Sequence, residues 1–348
     1  MVRWLIADCG QKASGEGSPD LPAAGDLSTA RAILLLFHGR TNMRAFIFPG
    51  QGSQAVGMGK ALAEASPVAR EVFQEVDEAL GQHLYRLMVE GPADELTLTE
   101  NAQPAIMANA IATLRVLEKE GGVRLSEKAD FVAGHSLGEY SALCAAGVFS
   151  FADGLRLVRL RGELMSKAGE ARPGAMSAIL GLERDKLEEA LKTASASGIV
   201  VAANFNSPSQ IVISGERSGV EAAEKICAEL GAKKVVRLPV SGAFHSPLME
   251  YAVEGLRKGL DAVAFSAPKV PVISNVEAIE ETNPEALKSG LLKQLYSPVR
   301  WVESMQRAQA LGVSEGLEVG AGKVLMGLLR GISRDVKVTP VENPEDLA

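Results

Sequence analysis

The stretch Asp130-Phe131-Val132-Ala133-Gly134-His135-Ser136-Leu137-Gly138-Glu139 decides how the rest of the chain is read. Asp130–Ala133 has the short apolar character of a buried strand, and the small, apolar segment Ala142–Gly147 reads as a helix. Between them, Gly134-His135-Ser136-Leu137-Gly138 has the Gly-x-Ser-x-Gly spacing of a nucleophile elbow, in the strand–turn–helix setting that motif requires. The flanking glycines follow from the sharpness of the turn, where a Cβ on either side collides with the adjacent strand or helix. Ser136 is then a candidate nucleophile held above the sheet, with the Leu137 backbone N–H at a helix N-terminus to stabilise an oxyanion. The competing reading is an ordinary N-cap serine.

Working outward, Arg44 opens a short buried strand, Ala-Phe-Ile-Phe-Pro, that runs into the turn Gly50-Gln51-Gly52-Ser53-Gln54. Helices are expected at Val68–Leu80 and Ala102–Glu120. This alternation indicates an α/β fold with a largely parallel sheet. Residues 171–240 form a separate unit: strand Ala175–Leu180, helix Arg184–Lys192, strands Ile199–Asn204 and Gln210–Ser214, helix Gly219–Leu230 and strand Lys233–Leu238. That βαββαβ order is ferredoxin-like, and it interrupts a core made of residues 44–170 and 241–343. The α/β pattern resumes with a helix near Ser246–Gly259, strand Val270–Ser274, helices Glu285–Gln294 and Val299–Leu311, and strand Gly316–Val319. Residues 1–43 stand apart: Ser, Gly, Pro, Ala and Asp fill Gln11–Thr29 without a sustained period. They read as an unstructured leader with Met43 as the natural start, a tag or a genuine extension being the alternatives.

A chain of 348 residues has room for about two domains, and 47% hydrophobic with 23% charged residues supports a sizeable core. The longest apolar run near the start, Ala32–Phe37, is far short of the roughly 20 residues a bilayer span needs, so no membrane role is expected. A formal charge of −7 argues against nucleic-acid binding. Any acidic partner must be met by a local basic patch, for which Lys233, Lys234 and Arg237, or Arg330, Arg334 and Lys337, are candidates. Cys9, Cys144 and Cys227 are widely spaced and only four His are present, so neither a disulfide framework nor a metal site is implied. A reducing, cytoplasmic compartment is expected.

A serine nucleophile needs a base. His38 lies in the leader, His83 on a polar stretch, and His135 beside Ser136 on the turn, where it should point another way. His245 in Gly242-Ala243-Phe244-His245-Ser246-Pro247 precedes a helix and is the best candidate, although no Asp or Glu lies near it in sequence to orient it. The helix around Ser150–Glu170 adds a further clue. At about 100° per residue from Leu155, the charged residues Arg159, Glu170, Glu163, Arg156 and Lys167 fall between about 40° and 120°, whereas Arg161 falls at about 240°, in the middle of the apolar face. An inward Arg must be paired, either with a buried Asp or Glu of the chain or with a carboxylate of the substrate.

Six ordered motifs now resemble one family: Phe48-Pro49-Gly50-Gln51-Gly52-Ser53-Gln54, Gly134-His135-Ser136-Leu137-Gly138-Glu139, Arg161, Asn204-Phe205-Asn206-Ser207-Pro208, Gly242-Ala243-Phe244-His245-Ser246 and Gln294-Leu295-Tyr296-Ser297-Pro298-Val299. From about Met43 to about Asn343 the chain resembles the malonyl-CoA:acyl carrier protein transacylases of type II fatty acid synthesis. The resemblance implies a hydrolase-like α/β core with a ferredoxin-like subdomain, and malonyl transfer from malonyl-CoA to the phosphopantetheine thiol of acyl carrier protein. It implies Ser136 as nucleophile, His245 as base and Arg161 as the group that grips the malonyl carboxylate. It further implies an oxyanion hole from the Gln51 and Leu137 amides, and a His245 ring oriented by the main-chain carbonyl of Gln294. The motif Ala243-Phe244-His245-Ser246 resembles the malonyl-using form of related modular acyltransferases. A monomer without metal or redox cofactor is expected.

Overall fold

The computed structural model describes residues 42–240 and 242–347. Most of the expected leader therefore lies outside the described residues. Its last residue, Met43, is 2% exposed and begins strand β1 (Met43–Phe48), so the core starts one residue before the expected boundary.

The other strands are β2 (Phe131–Gly134), β3 (Gly174–Leu180), β4 (Val200–Ser207), β5 (Gln210–Glu216), β6 (Lys234–Arg237), β7 (Val272–Ile273), β8 (Glu280–Glu281), β9 (Val313–Val319) and β10 (Lys337–Val341). The longer helices are α1 (Pro67–Leu80), α2 (Thr99–Lys119), α3 (Leu137–Ala145), α4 (Phe151–Ala171), α5 (Arg184–Ala194), α6 (Arg217–Glu229), α7 (Val253–Asp261), α8 (Pro284–Gln294), α9 (Trp301–Ala310) and α10 (Val324–Ile332).

Six strands form the main sheet in the order β10-β9-β1-β2-β7-β8. All neighbours are parallel except the β7–β8 edge hairpin. The period-2 alternation of β1 explains why both faces are covered. Met43, Ala45 and Ile47 pack with Trp301 and Met305 of α9 and Leu325 and Leu329 of α10 on one face. Phe46 and Phe48 pack on the other into the larger core with α2, α3 and α4. Placing β1 and β2 side by side at the sheet centre brings the turn after β1 against the elbow after β2.

The second sheet, β4-β5-β3-β6, is antiparallel. Its strand and helix order is the ferredoxin-like one expected over 171–240. Ala175, Ile179 and Ile213 bury against α5 and α6, while Met176, Ala178 and Val212 on the opposite face join the main core. Strand β4 is also tied to the main unit by Phe205 N–H to Val299 O (2.9 Å) and Val299 N–H to Ala203 O (2.8 Å).

Two expected elements differ. The single helix near Ser246–Gly259 is split into a 3-10 segment, Pro247–Ala252, followed by α7. Pro247 starts the tighter turn, with the Ser246 hydroxyl accepting the Leu248 amide as a cap. The strand expected over Val270–Ser274 is reduced to β7, so Ser274 and Asn275 leave the sheet beside the elbow. The edge strand β10, carrying Pro340, and the apolar helix α10 were not anticipated from the pattern; an outermost strand is where a proline is tolerated.

Candidate active site

The elbow after β2 is strained and heavily braced. Ser136 sits at φ 51° and ψ −106°, outside the regions L residues ordinarily occupy. Its N–H donates to Asn275 Oδ1 (2.7 Å), and Asn275 Nδ2 donates to Gly134 O (2.6 Å). A Cβ on Gly134 would stand 1.9 Å from the Gly138 carbonyl carbon, and one on Gly138 would stand 2.0 Å from Phe48 O. Glycine at both positions is what lets α3 begin directly against β1 and β2.

Ser136 Oγ lies 2.8 Å from His245 Nε2, and His245 Nδ1 lies 2.8 Å from the main-chain oxygen of Gln294. Nδ1–H donating to that carbonyl leaves Nε2 unprotonated, ready to accept the serine proton. Burial, reinforced by the nearby Arg161 charge, pushes the His245 pKa down to about 3, so the ring is neutral at neutral pH. The orienting group is a backbone carbonyl, which explains why no acidic residue accompanies His245 in the sequence.

Arg161 is fully buried on α4. The helix can bring it there because a Cβ on the next residue, Gly162, would stand 2.6 Å from Glu100 Cα, so α4 and the start of α2 are in close approach. Nη1 donates to Gln103 Oε1 (2.7 Å), and Nη2 donates to Gln294 Oε1 (2.9 Å) and Ser136 Oγ (3.2 Å). The guanidinium carbon is 5.4 Å from the Tyr140 ring centre, and Nε has no acceptor among the described residues. Every direct partner is neutral. Among the described residues no carboxylate comes within ion-pair distance, so the reading in which a chain carboxylate pairs with Arg161 is not the one found. Burial lowers the guanidinium pKa, with Tyr140 and Glu139 opposing that shift.

Gln51 lies on the turn after β1, its Oε1 accepting from Thr99 Oγ1 (3.2 Å). That turn is pressed onto the elbow, since a Cβ on Gly50 would stand 2.3 Å from His135 O. Among the described residues neither the Gln51 nor the Leu137 backbone N–H has a protein acceptor. His135 packs: its Nε2 is 2.7 Å from Asn206 Oδ1 and its ring meets Trp301 edge-on, fastening β4 to the elbow. His83 is an exposed partner of Asp77, and His38 lies outside the described residues.

Residue patterns alone did not single out Gln103, Glu139 or Asn275. Gln294 Nε2 donates to Ser136 O (3.0 Å), to Asn275 Oδ1 (3.3 Å) and to Glu139 Oε2, while Asn275 N–H donates to Glu139 Oε1 (3.2 Å). The available signal was a polar residue within a run of small or apolar ones, Gln103 between Ala102 and Pro104 in α2 and Glu139 in the first turn of α3. Asn275 offered none. Burial pushes the Cys144 thiol up to about 12 and Cys227 up to about 11, so neither is held as a reactive thiolate. No cluster of His, Cys, Asp and Glu able to hold a metal occurs among the described residues.

The arrangement is a Ser–His pair with an aligned acceptor, two available amides, one at the elbow and one on the turn pressed against it, and a buried cation beside the serine hydroxyl. It is suited to acyl transfer through a serine ester whose acyl group carries a carboxylate. Residues 45–341 match the acyl transferase domain model. The chain is 49% identical over 304 residues to the malonyl CoA-acyl carrier protein transacylase of Bacillus subtilis, covering 87% of this chain and 94% of that protein. It is 43% identical to the protein of the same name in Escherichia coli, covering 87% and 97%. The crystal structure of acyl-carrier-protein-S-malonyltransferase from Bartonella henselae superposes with a TM-score of 0.85 at 48% identity, covering 88% of this chain and 97% of that one. A malonyl-transacylase in complex with its holo type II PKS acyl-carrier protein superposes with a TM-score of 0.84 at 41% identity, covering 88% and 98%.

Proposed function

The chain belongs to the acyl transferase family of malonyl-CoA:acyl carrier protein transacylases, and on that premise we propose how its own residues move a malonyl group from malonyl-CoA to the phosphopantetheine thiol of acyl carrier protein. The product supplies extender units for fatty acid synthesis. In the first half-reaction His245 Nε2 takes the proton of Ser136, and Oγ attacks the thioester carbonyl. The Gln51 and Leu137 amides receive the tetrahedral oxyanion, and the protonated His245 returns its proton to CoA as the thiol leaves. The Gln294 carbonyl holds the ring throughout by accepting from Nδ1–H. In the second half-reaction the carrier thiol gives its proton to His245 and attacks the malonyl-serine ester, and Ser136 leaves with that proton.

The observation that carries this reading is Arg161: a fully buried cation with only neutral partners, 3.2 Å from the nucleophilic oxygen. The malonyl carboxylate completes the pair, anchored close to the carbonyl under attack. The proposal takes the protein as a monomer acting without a metal or redox cofactor, every proton and charge in both half-reactions being carried by a side chain or amide of this one chain. No helix among the described residues is long and apolar enough to cross a membrane. Mixing the protein with malonyl-CoA and holo carrier protein tests the proposal. Malonyl-carrier as the main product is expected; free malonate, or a complex without turnover, would contradict it.

A further inference from the structure

Glu139 has no place in the steps above, yet it is 3% exposed and separated from Arg161 by a single side chain. The Gln294 amide separates them: its Oε1 accepts from Arg161 Nη2, and its Nε2 donates to Glu139 Oε2, Ser136 O and Asn275 Oδ1. The other Glu139 oxygen accepts from Asn275 N–H, the residue whose side chain braces the Ser136 amide. Both carboxyl oxygens thus act as acceptors, which is the pattern of an ionised group. We propose that Glu139 is a positioning residue acting through Gln294: its carboxylate holds the Gln294 amide with the oxygen facing Arg161 and so sets the guanidinium to grip the substrate carboxylate.

Protonating Glu139 turns an acceptor facing the Gln294 NH2 into a donor, and it also removes the negative charge nearest to Arg161. Burial raises the Glu139 pKa to about 7, with the Asn275 amide, Gln294 and Arg161 opposing the shift, so the change falls in an accessible range. A cavity of about 220 Å³ reaches Glu139 past Ser274, Glu277, Glu281 and Lys293, and none of Ser136, His245 or Arg161 lines it. Protons therefore have a path apart from the catalytic pair. The charged and titratable groups around Glu139 are Arg161 on α4, Tyr140 on its own helix, and Glu277, Glu281 and Lys293 at the cavity, Lys293 and Glu277 being paired at 3.3 Å.

The inference rests on Arg161 gripping the malonyl carboxylate, and the experiment separates the two. Acylation of Ser136 by malonyl-CoA and by acetyl-CoA is followed by intact-protein mass spectrometry from pH 8.5 to pH 5.5, and the ratio of the two kcat/KM values is taken. Because acetyl makes no use of Arg161, the ratio cancels effects common to both substrates, and kcat/KM reports the free enzyme. For wild type the ratio should fall at least fivefold with a midpoint near pH 7. In Glu139→Gln one of the two acceptor oxygens becomes an NH2 that faces a donor, either Gln294 Nε2 or Asn275 N–H, so the ratio should be at least tenfold lower at pH 8 and flat with pH. A pH-independent wild-type ratio, or a Glu139→Gln ratio matching wild type, overturns the proposal. If Glu139→Gln does not fold, the wild-type pH series alone decides. A wild-type protein that forms no malonyl ester defeats the proposed function instead.

Discussion

Arg161 Nη2 and Ser136 Oγ lie 3.2 Å apart within one buried hydrogen-bonded set, so the proposed grip on the substrate carboxylate and the proposed nucleophile belong to one site. If the partner of Arg161 is the substrate carboxylate, Arg161→Ala should lower malonyl transfer by about 2–5 kcal/mol in transition-state terms. Acetyl-CoA leaves the wild-type guanidinium buried and unpaired, so wild type should reject it, and acetyl transfer should survive or improve in the variant. The check is kcat/KM for both acyl-CoAs on a variant with a wild-type melting curve; a parallel loss for both substrates would defeat the carboxylate grip.

His245 should make stability depend on pH in a defined direction. Its folded pKa of about 3 lies below the ordinary 6.5, so the unfolded chain takes up the proton first on acidification. The stability it contributes is present above pH 6.5 and is lost as pH falls toward 3, by on the order of a few kcal/mol. Subtracting the denaturant stability of His245→Asn from that of wild type across this range isolates the effect from titrating carboxylates. A difference that does not change with pH would show that the ring is not held neutral.

Gly138→Ala should be among the most damaging single-methyl changes in the molecule. The added carbon would stand 2.0 Å from Phe48 O, so β1 or α3 must move, and with them the Ser136 turn. Loss of malonyl-ester formation together with a markedly lowered melting temperature is expected, whereas Gly290→Ala, where nothing lies within 4 Å, should leave both near wild type. Comparable behaviour of the two variants would mean the elbow tolerates relaxation.

Docking of an acidic carrier protein should depend on Arg330, Arg334 and Lys337 more than on Lys233, Lys234 and Arg237. Arg237 is engaged by Glu224 (2.7 Å) and Glu221 (3.8 Å), whereas the first three line a cavity of about 420 Å³ with Met326, Leu329 and Val336 and no acidic residue. Local potential acts within a Debye length of about 8 Å, so a net charge of −7 does not prevent this. Charge reversal of the Arg330 group should raise KM for carrier protein and leave KM for malonyl-CoA unchanged; steady-state kinetics with no change in either would remove it.

What the sequence disclosed was what is local. The elbow showed itself because its steric demands fall on residues two apart from Ser136, and the inward turn of Arg161 showed itself because helical periodicity assigns a face to every residue. The neighbours of Arg161 did not, since Gln103 and Gln294 are 58 and 133 positions away and nothing in their own segments marks them as its partners. The group that orients His245 is a main-chain oxygen, present at every residue, so only the resemblance to a known family pointed to Gln294. Asn275 reaches the elbow because β7 stops after Ile273, a boundary set by tertiary packing rather than by the apolar run.

If malonyl passes through an ester on Ser136, intact-protein mass spectrometry after brief exposure to malonyl-CoA will show a malonyl adduct on the wild type and none on Ser136→Ala. An equal adduct on both proteins would rule the ester out.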